Sequence, residues 1–362
     1  MSHLNEEFRK HFSFSKEEIY LDTPSCGLVA DKVLEWRRAH DLNLSGSVSA
    51  FRAEAQQFLN ACKKTIANYC DCDLQEIALV PNFSLGFNMV LDSLPSGQSI
   101  LMLENEYPSI AWPIHRRDFD VRLLQVHETL EDKILESVRK HRPDIFVFSM
   151  VQWISGIKID LDFINALKEE FPKMLLIADG TQFLGTEAFH FSQSKIDVLI
   201  SSNYKWLNAG FGSGLLLIRK QAQHHIFPQV IGFMSAETFD SKEEDTLYMK
   251  HFEPGHLDTL AFGSFKQSLE LLDSMGRDKV YAHIKDLNSK AYLAFKERNL
   301  LLPEVKNREN HATIFNLQRG KETFESLKKS GIHCSLRGSG IRVGFHYYNT
   351  ESDLHRLLSI LD

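Results

Sequence analysis

Short apolar runs separated by stretches of helical spacing constrain this chain more than any other feature. The runs are Ser99–Leu103, Asp144–Phe148, Met174–Ala178, Asp197–Ile200 and Gly214–Ile218. Each has the length of a strand and no polar face, so it must be buried on both sides. Between most of them lie segments such as Leu130 to Lys140 and Leu161 to Glu170, which read as helices. Phe51, Ala55, Phe58, Leu59, Cys62, Ile66 and Tyr69 add a further helix upstream. This alternation predicts a mostly parallel sheet covered by helices on both faces. From about Phe262 the texture changes. Phe265–Met275 and Val280–Arg298 predict long helices, His311–Leu317 and Gly331–Tyr347 alternate as strands, and Glu351–Leu361 closes as a helix. The chain therefore reads as a large α/β domain over 20–260 and a smaller α+β domain built from 1–19 and 261–362.

A formal charge of -7 lacks the clustered Lys and Arg of a nucleic-acid footprint, so no nucleic-acid partner is expected. The start of the chain is polar and no stretch is apolar enough to span a bilayer, which points away from a secretory signal or a membrane. Cys26, Cys62, Cys70, Cys72 and Cys334 are odd in number and scattered, so a disulfide framework is not expected. Cys70-Asp71-Cys72 has no second Cys/His pair to complete a metal site. A reducing cytoplasm is the expected location.

Three strand ends carry candidate chemistry. Ser201-Ser202-Asn203-Tyr204-Lys205-Trp206-Leu207 places a lysine directly after a buried run and before the Gly-rich Gly210-Phe211-Gly212-Ser213-Gly214. Ligands of open α/β sheets bind at the carboxyl ends of strands. A lysine desolvated there has a lowered pKa and can form a Schiff base, whereas in isolation it would read as an exposed loop lysine. Leu175 to Asp179 ends a second run with a carboxylate. Such an acid suits a pyridinium nitrogen, or caps a helix. Leu79-Val80-Pro81-Asn82-Phe83-Ser84 opens a helix with small polar groups that suit a phosphate, or simply cap it. The Gly210-x-Gly212-x-Gly214 pattern is not a dinucleotide fingerprint, because a strand follows it where a helix is needed.

In order and spacing these segments resemble the class V aminotransferases, a group that includes cysteine desulfurases, selenocysteine lyases, isopenicillin N epimerase and kynureninase. The most specific element is Asp179-Gly180-Thr181-Gln182 followed by Ser202-Asn203-Tyr204-Lys205, and the similarity runs from Tyr20-Leu21-Asp22-Thr23 to Tyr348-Asn349-Thr350-Glu351. The resemblance implies a fold-type I architecture, pyridoxal 5'-phosphate (PLP) as cofactor, an amino acid as substrate and a homodimer. It makes Lys205 the lysine that holds the cofactor, Asp179 the partner of the pyridinium nitrogen and Gln182 the partner of the ring hydroxyl. Phe83 (through its backbone), Ser84 and Ser202 would hold the phosphate. Tyr204 stands where the family often has a phosphate-binding His, and Tyr107 near the residue that stacks on the ring. Arg342 would grip the substrate carboxylate with Arg337 assisting, and His256 would approach a neighbouring subunit's cofactor. Two departures stand out. Gln152-Trp153-Ile154 replaces the Asn region of desulfurases, and only Gly338, Ser339, Gly340 and Ile341 lie between the two arginines, where selenocysteine-lyase-like desulfurases carry a reactive cysteine. Cys334 precedes Arg337 in an alternating pattern that suits a small buried residue. The expectation is an aminotransferase, with a sulfur-handling lyase or an epimerase as the alternatives.

Overall fold

The structure, a computed structural model, describes residues 7–15, 17–236, 242, 245–308 and 310–362. The chain enters through a two-residue strand, β1 (Ile19–Tyr20), and two long helices, α1 (Asp31–Gly46) and α2 (Val48–Cys70). The apolar stripe expected on α2 is its buried side, with Leu59, Cys62, Ile66, Ala67 and Tyr69 inside. Helix α1 lacks such a stripe and buries only Val33 along its length, which is why its periodicity is silent in the sequence.

Seven strands then form the main sheet: β2 (Ile77–Val80), β3 (Ser99–Leu103), β4 (Asp120–Leu124), β5 (Ile145–Ser149), β6 (Leu175–Asp179), β7 (Val198–Ser202) and β8 (Gly214–Ile218). Their order is β2-β8-β7-β6-β5-β3-β4. All run parallel except β8, which is antiparallel to both neighbours. The exception follows from connectivity. β7 reaches β8 through the Gly-containing loop 203–213 and not through a helix, and only a long crossover returns a chain parallel. Every residue of β5, β6, β7 and β8 is buried. β4 is the edge strand, and its Asp120 and Arg122 interrupt the apolar pattern by which a central strand is read.

Alternate residues supply two separate cores. Phe146, Phe148, Leu176, Ala178, Leu199 and Leu217 face α2 and the later helix Thr259–Met275. Val147, Ile177, Val198, Ile200 and Leu216 face the other way, against Phe87, Val90, Ile110 and Ile114. Those four belong to α3 (Phe83–Asp92) and α4 (Pro108–His115). Helices α5 (Leu130–His141), α6 (Leu161–Glu170) and α7 (Thr259–Met275) complete the layers.

After α8 (Arg277–Glu297) the chain forms a second sheet from β9 (Ile314–Leu317), β11 (Ser335–Arg337) and β12 (Gly340–Gly344), all antiparallel. Between them β10 (Ile332–His333) pairs in parallel with β1, and Ile19 and Leu21 enter the same core as Phe315, Leu327 and Val343. Gly338 and Ser339 are the two residues of the hairpin joining β11 to β12, with Gly338 at φ 56°. The final helix is Glu351–Leu361. Among the described residues no helix is long and apolar enough to cross a membrane.

Candidate active site

Strand register gathers the candidate residues along one edge. Val80 and Ser202 both pair with Gly214, Asp179 pairs with Ile200, and Ser149 pairs with Asp179. At this edge lies a cavity of about 500 Å³. Phe83, Ser84, Tyr107, Trp153, Asp179, Thr181, Gln182, Ser202, Tyr204 and Lys205 line it, so segments up to 122 residues apart in sequence converge.

Lys205 is only 6 % exposed. Its Nζ lies 5.5 Å from the centroid of the Tyr107 ring and 5.7 Å from that of Tyr204. Burial pulls the amine down to about 8 against the opposing pull of Asp179, and Arg342 lowers it further. Asp179 is raised by the same burial, opposed by its bond from the Thr181 N–H to Oδ1 at 2.8 Å. No helix follows Asp179, so it is not an N-cap. The lysine turn is held in place by close backbone packing. The Gly27 N–H donates to Tyr204 O at 2.8 Å, and a Cβ on Gly27 would sit 1.9 Å from Lys205 O. Behind it, the buried His346 ring contacts Asn208 Oδ1 at 2.8 Å, while Asn208 Nδ2 donates to Leu28 O.

At the other end of the cavity α3 begins. Asn82 caps it by accepting from the Leu85 N–H, and the Phe83 N–H donates to Ser202 Oγ at 2.8 Å. Ser84 Oγ donates to Ser109 Oγ at 2.8 Å. Gln182 is engaged at both ends: Oε1 accepts from Trp206 Nε1 at 2.8 Å and Nε2 donates to Pro24 O at 2.9 Å. One amide proton of Gln182 is left for the cavity.

Arg342 is 2 % exposed. Nη1 donates to Trp153 O at 2.9 Å and Nη2 to Ser25 Oγ at 2.6 Å, with Asp22 Oδ1 4.0 Å from Nη2, while Nε has no hydrogen-bond partner among the described residues. Nε and Nη2 together form one edge of the planar fork, which suits a carboxylate. Arg337 is exposed at the hairpin tip, and its Nη1 turns back to Leu336 O at 2.9 Å. It shares a face with Arg342, and neither guanidinium is among the residues that line the cavity; Arg342 adjoins it through the Trp153 carbonyl, while Arg337 sits farther out on the two-residue turn. Cys334 packs against the core of the second sheet, with burial pushing its thiol up to about 12. His256 stacks on Phe233 with ring centroids 6.2 Å apart, away from this chain's own cavity.

Two participants escaped the sequence reading. Thr181 lies between Asp179 and Gln182, and its Oγ1 accepts from the Ser202 N–H at 3.1 Å, joining the two key loops. Glu106 is 5 % exposed and accepts from Ser149 N at 2.9 Å and from Ser149 Oγ at 2.5 Å. Burial lifts its carboxyl to about 7, and Asp179 adds to the rise. Its adjacency to Tyr107 was the one available signal.

The family model for class V aminotransferases matches residues 19–357. The chain belongs to that family. A probable cysteine desulfurase of Ureaplasma parvum serovar 3 is 22 % identical, the match covering 98 % of this chain and 96 % of the relative. Two solved structures of C-DES share the fold. One, a mutant with glycine covalently linked to its PLP cofactor, has a TM-score of 0.86 at 20 % identity and covers 98 % of this chain and 99 % of its own. The other, described as the cystine C-S lyase C-DES with its product cysteine persulfide, has a TM-score of 0.83 at 21 % identity, covering 96 % and 98 %. These likenesses, together with the mostly parallel seven-stranded sheet, make the architecture fold-type I.

The cofactor of the class V enzyme is PLP. The residues present fit it: a buried amine of lowered pKa, a buried carboxylate, and a helix start flanked by serine hydroxyls within one cavity.

Proposed function

We propose that this enzyme is an aminotransferase that works on an α-amino acid, with Lys205 as the reacting amine. The observation that supports a PLP-dependent reaction most is the buried Lys205 amine, drawn down to about 8 and set between Tyr107 and Tyr204, and the cysteine-free hairpin beside Arg342 favours transamination over a thiol-dependent desulfuration. An amine with a substantial uncharged fraction at physiological pH is both a nucleophile toward an aldehyde and a base. In this reading Arg342 binds the substrate carboxylate through Nε and Nη2, with Ser25 yielding its hydrogen bond. With the cofactor in place, Lys205 Nζ would be the base that takes the proton from the substrate Cα. When bound, PLP supplies the electron sink for the charge left at Cα. Asp179 holds the positive charge that makes the sink effective, and Ser84 and Ser202 anchor the phosphate end. The homodimer belongs to this reading too. Leu85 and Phe211, 51 % and 68 % exposed at the cavity mouth, offer apolar surface for a second copy to cover.

A second reading, a C–S lyase that needs no protein thiol, has its own support. The tight Gly338–Ser339 hairpin carries no cysteine, Cys334 is packed away from the cavity, burial and Asp22 raise the thiol of Cys26, the cysteine near Lys205, and the fold is that of C-DES. Purified holoenzyme incubated with single amino acids separates the two. Transamination yields a 2-oxo acid and an equal amount of pyridoxamine 5'-phosphate. Lyase action yields pyruvate and ammonia with many turnovers, together with sulfide from cysteine or cysteine persulfide from cystine, and Cys334→Ala and Cys26→Ala leave that rate intact. Lys205→Ala abolishes the borohydride-trapped link to the cofactor in both readings, and a reduced cofactor found on another lysine would overturn them together.

A further inference from the structure

Trp153 is fixed at three points. Its Nε1 donates to Asn105 O at 3.0 Å, its ring meets the Tyr107 ring edge-on at 5.4 Å and 78°, and its carbonyl accepts from Arg342 Nη1 at 2.9 Å. The loop beneath it is equally constrained. Gln152 Oε1 accepts from the N–H groups of Ile154 and Ser155, and Gln152 Nε2 donates to the same Asn105 carbonyl. The next residue to turn the chain, Gly156 at φ 75°, packs so closely that a Cβ would lie 2.1 Å from Ile314 O. The indole is therefore a rigid wall of the cavity, beside the arginine that would hold a carboxylate.

The charge inventory of the cavity is short. Asp179 and Lys205 are the only carboxylate and amine among its lining residues, and both are committed to the chemistry above. The walls outside the cofactor-facing set include four apolar side chains, Leu85, Val151, Trp153 and Phe211, beside the uncharged Pro81, Asn82, Ser149 and Gly212, and Phe211 lies against Tyr204 with ring centroids 4.7 Å apart. Arg342 can serve one carboxylate, and Arg337 stands outside at the hairpin tip. A charged side chain entering this space would lose its hydration with no partner to replace it.

We propose that Trp153 is the specificity-determining residue for the substrate side chain, and that it restricts the enzyme to amino acids with uncharged, hydrocarbon-rich side chains. The proposal rests on the assignment of Lys205 and Arg342 made above. A substrate anchored by its carboxylate on Arg342 and its nitrogen near Lys205 has one remaining substituent on Cα, and that substituent runs along the indole face. Because the ring is already locked, the contact costs little ordering on binding.

The test uses the holoenzyme and measures kcat/KM by cofactor absorbance for phenylalanine, methionine, leucine, alanine, aspartate, glutamate and lysine. The wild type is expected to favour the large uncharged residues over the charged ones by about a hundredfold. In Trp153→Ala the ratio of phenylalanine to alanine falls by about tenfold, mainly through KM, and Trp153→Phe restores most of it. Equal losses for phenylalanine and alanine would reduce Trp153 to a structural role. Wild-type preference for aspartate or glutamate would overturn the proposal while leaving Lys205 and Arg342 in place. No spectral response to any amino acid would overturn the reading beneath it as well.

Discussion

The amine of Lys205 can be titrated directly. Its pKa of about 8 lies 2.5 below the ordinary 10.5, equivalent to about 3.4 kcal/mol of lost preference for the charged form. At pH 7.5 about a quarter of the Lys205 amines are then uncharged, against roughly one in a thousand for a free lysine, a gain of about 240-fold in reactive amine. The assay is recombination of apoenzyme with PLP, trapped by borohydride and located by peptide mapping, with the rate followed across pH. The rate should rise with a midpoint near 8 and flatten above it. Arg342→Leu removes a repelling charge and moves the midpoint up; Asp179→Asn removes an attracting one and moves it down. The same shift acts on stability. The folded pKa lies below the unfolded one, so the unfolded chain holds more protons between about 8 and 10.5. Apoenzyme stability should therefore gain from this group as pH rises through that window, its cost being complete below about 8. A recombination rate that keeps climbing toward pH 10.5 would refute the argument that burial tunes this amine.

Glu106 has the opposite sign of shift from Lys205, with a folded pKa of about 7 against 4.5, so its stability cost grows as pH rises from 4.5 and is complete above 7. Glu106→Gln keeps an acceptor for the Ser149 N–H and turns the second bond round, its Nε2 donating to Ser149 Oγ, and thermal melts should show it more stable at pH 8 than at pH 4.5 relative to wild type, by up to about 3 kcal/mol. A pH-independent difference would contradict the assignment. Gly27→Ala forces a methyl toward Lys205 O and should slow covalent PLP capture by at least about tenfold, measured by the same trapping assay, while far-ultraviolet circular dichroism shows the fold retained. Leu199→Ala empties a fully buried position near the start of β7 and should cost about 2–5 kcal/mol in denaturant unfolding, with the pH midpoint of Lys205 unmoved.

The main sheet was legible in the sequence because double-sided burial leaves a local trace: five apolar runs marked β3 and β5 to β8 to within one or two residues. The candidate amine and acid were legible for a related reason, since Lys205 and Asp179 break the apolar pattern at or just beyond the ends of such runs. Helix α1 and strand β4 were not, because one lacks an apolar stripe and the other lies at an exposed edge. Tertiary structure alone showed that Arg342 is sealed beside Trp153 and Ser25 while Arg337 is left at a hairpin tip. It also decided that Glu106 lies behind Ser149 and that Gly27 is pressed against the lysine turn. Periodicity and burial are written along the chain, residue by residue. A pKa, a hydrogen bond between distant loops or a shared wall depends on the register and packing that bring those segments together.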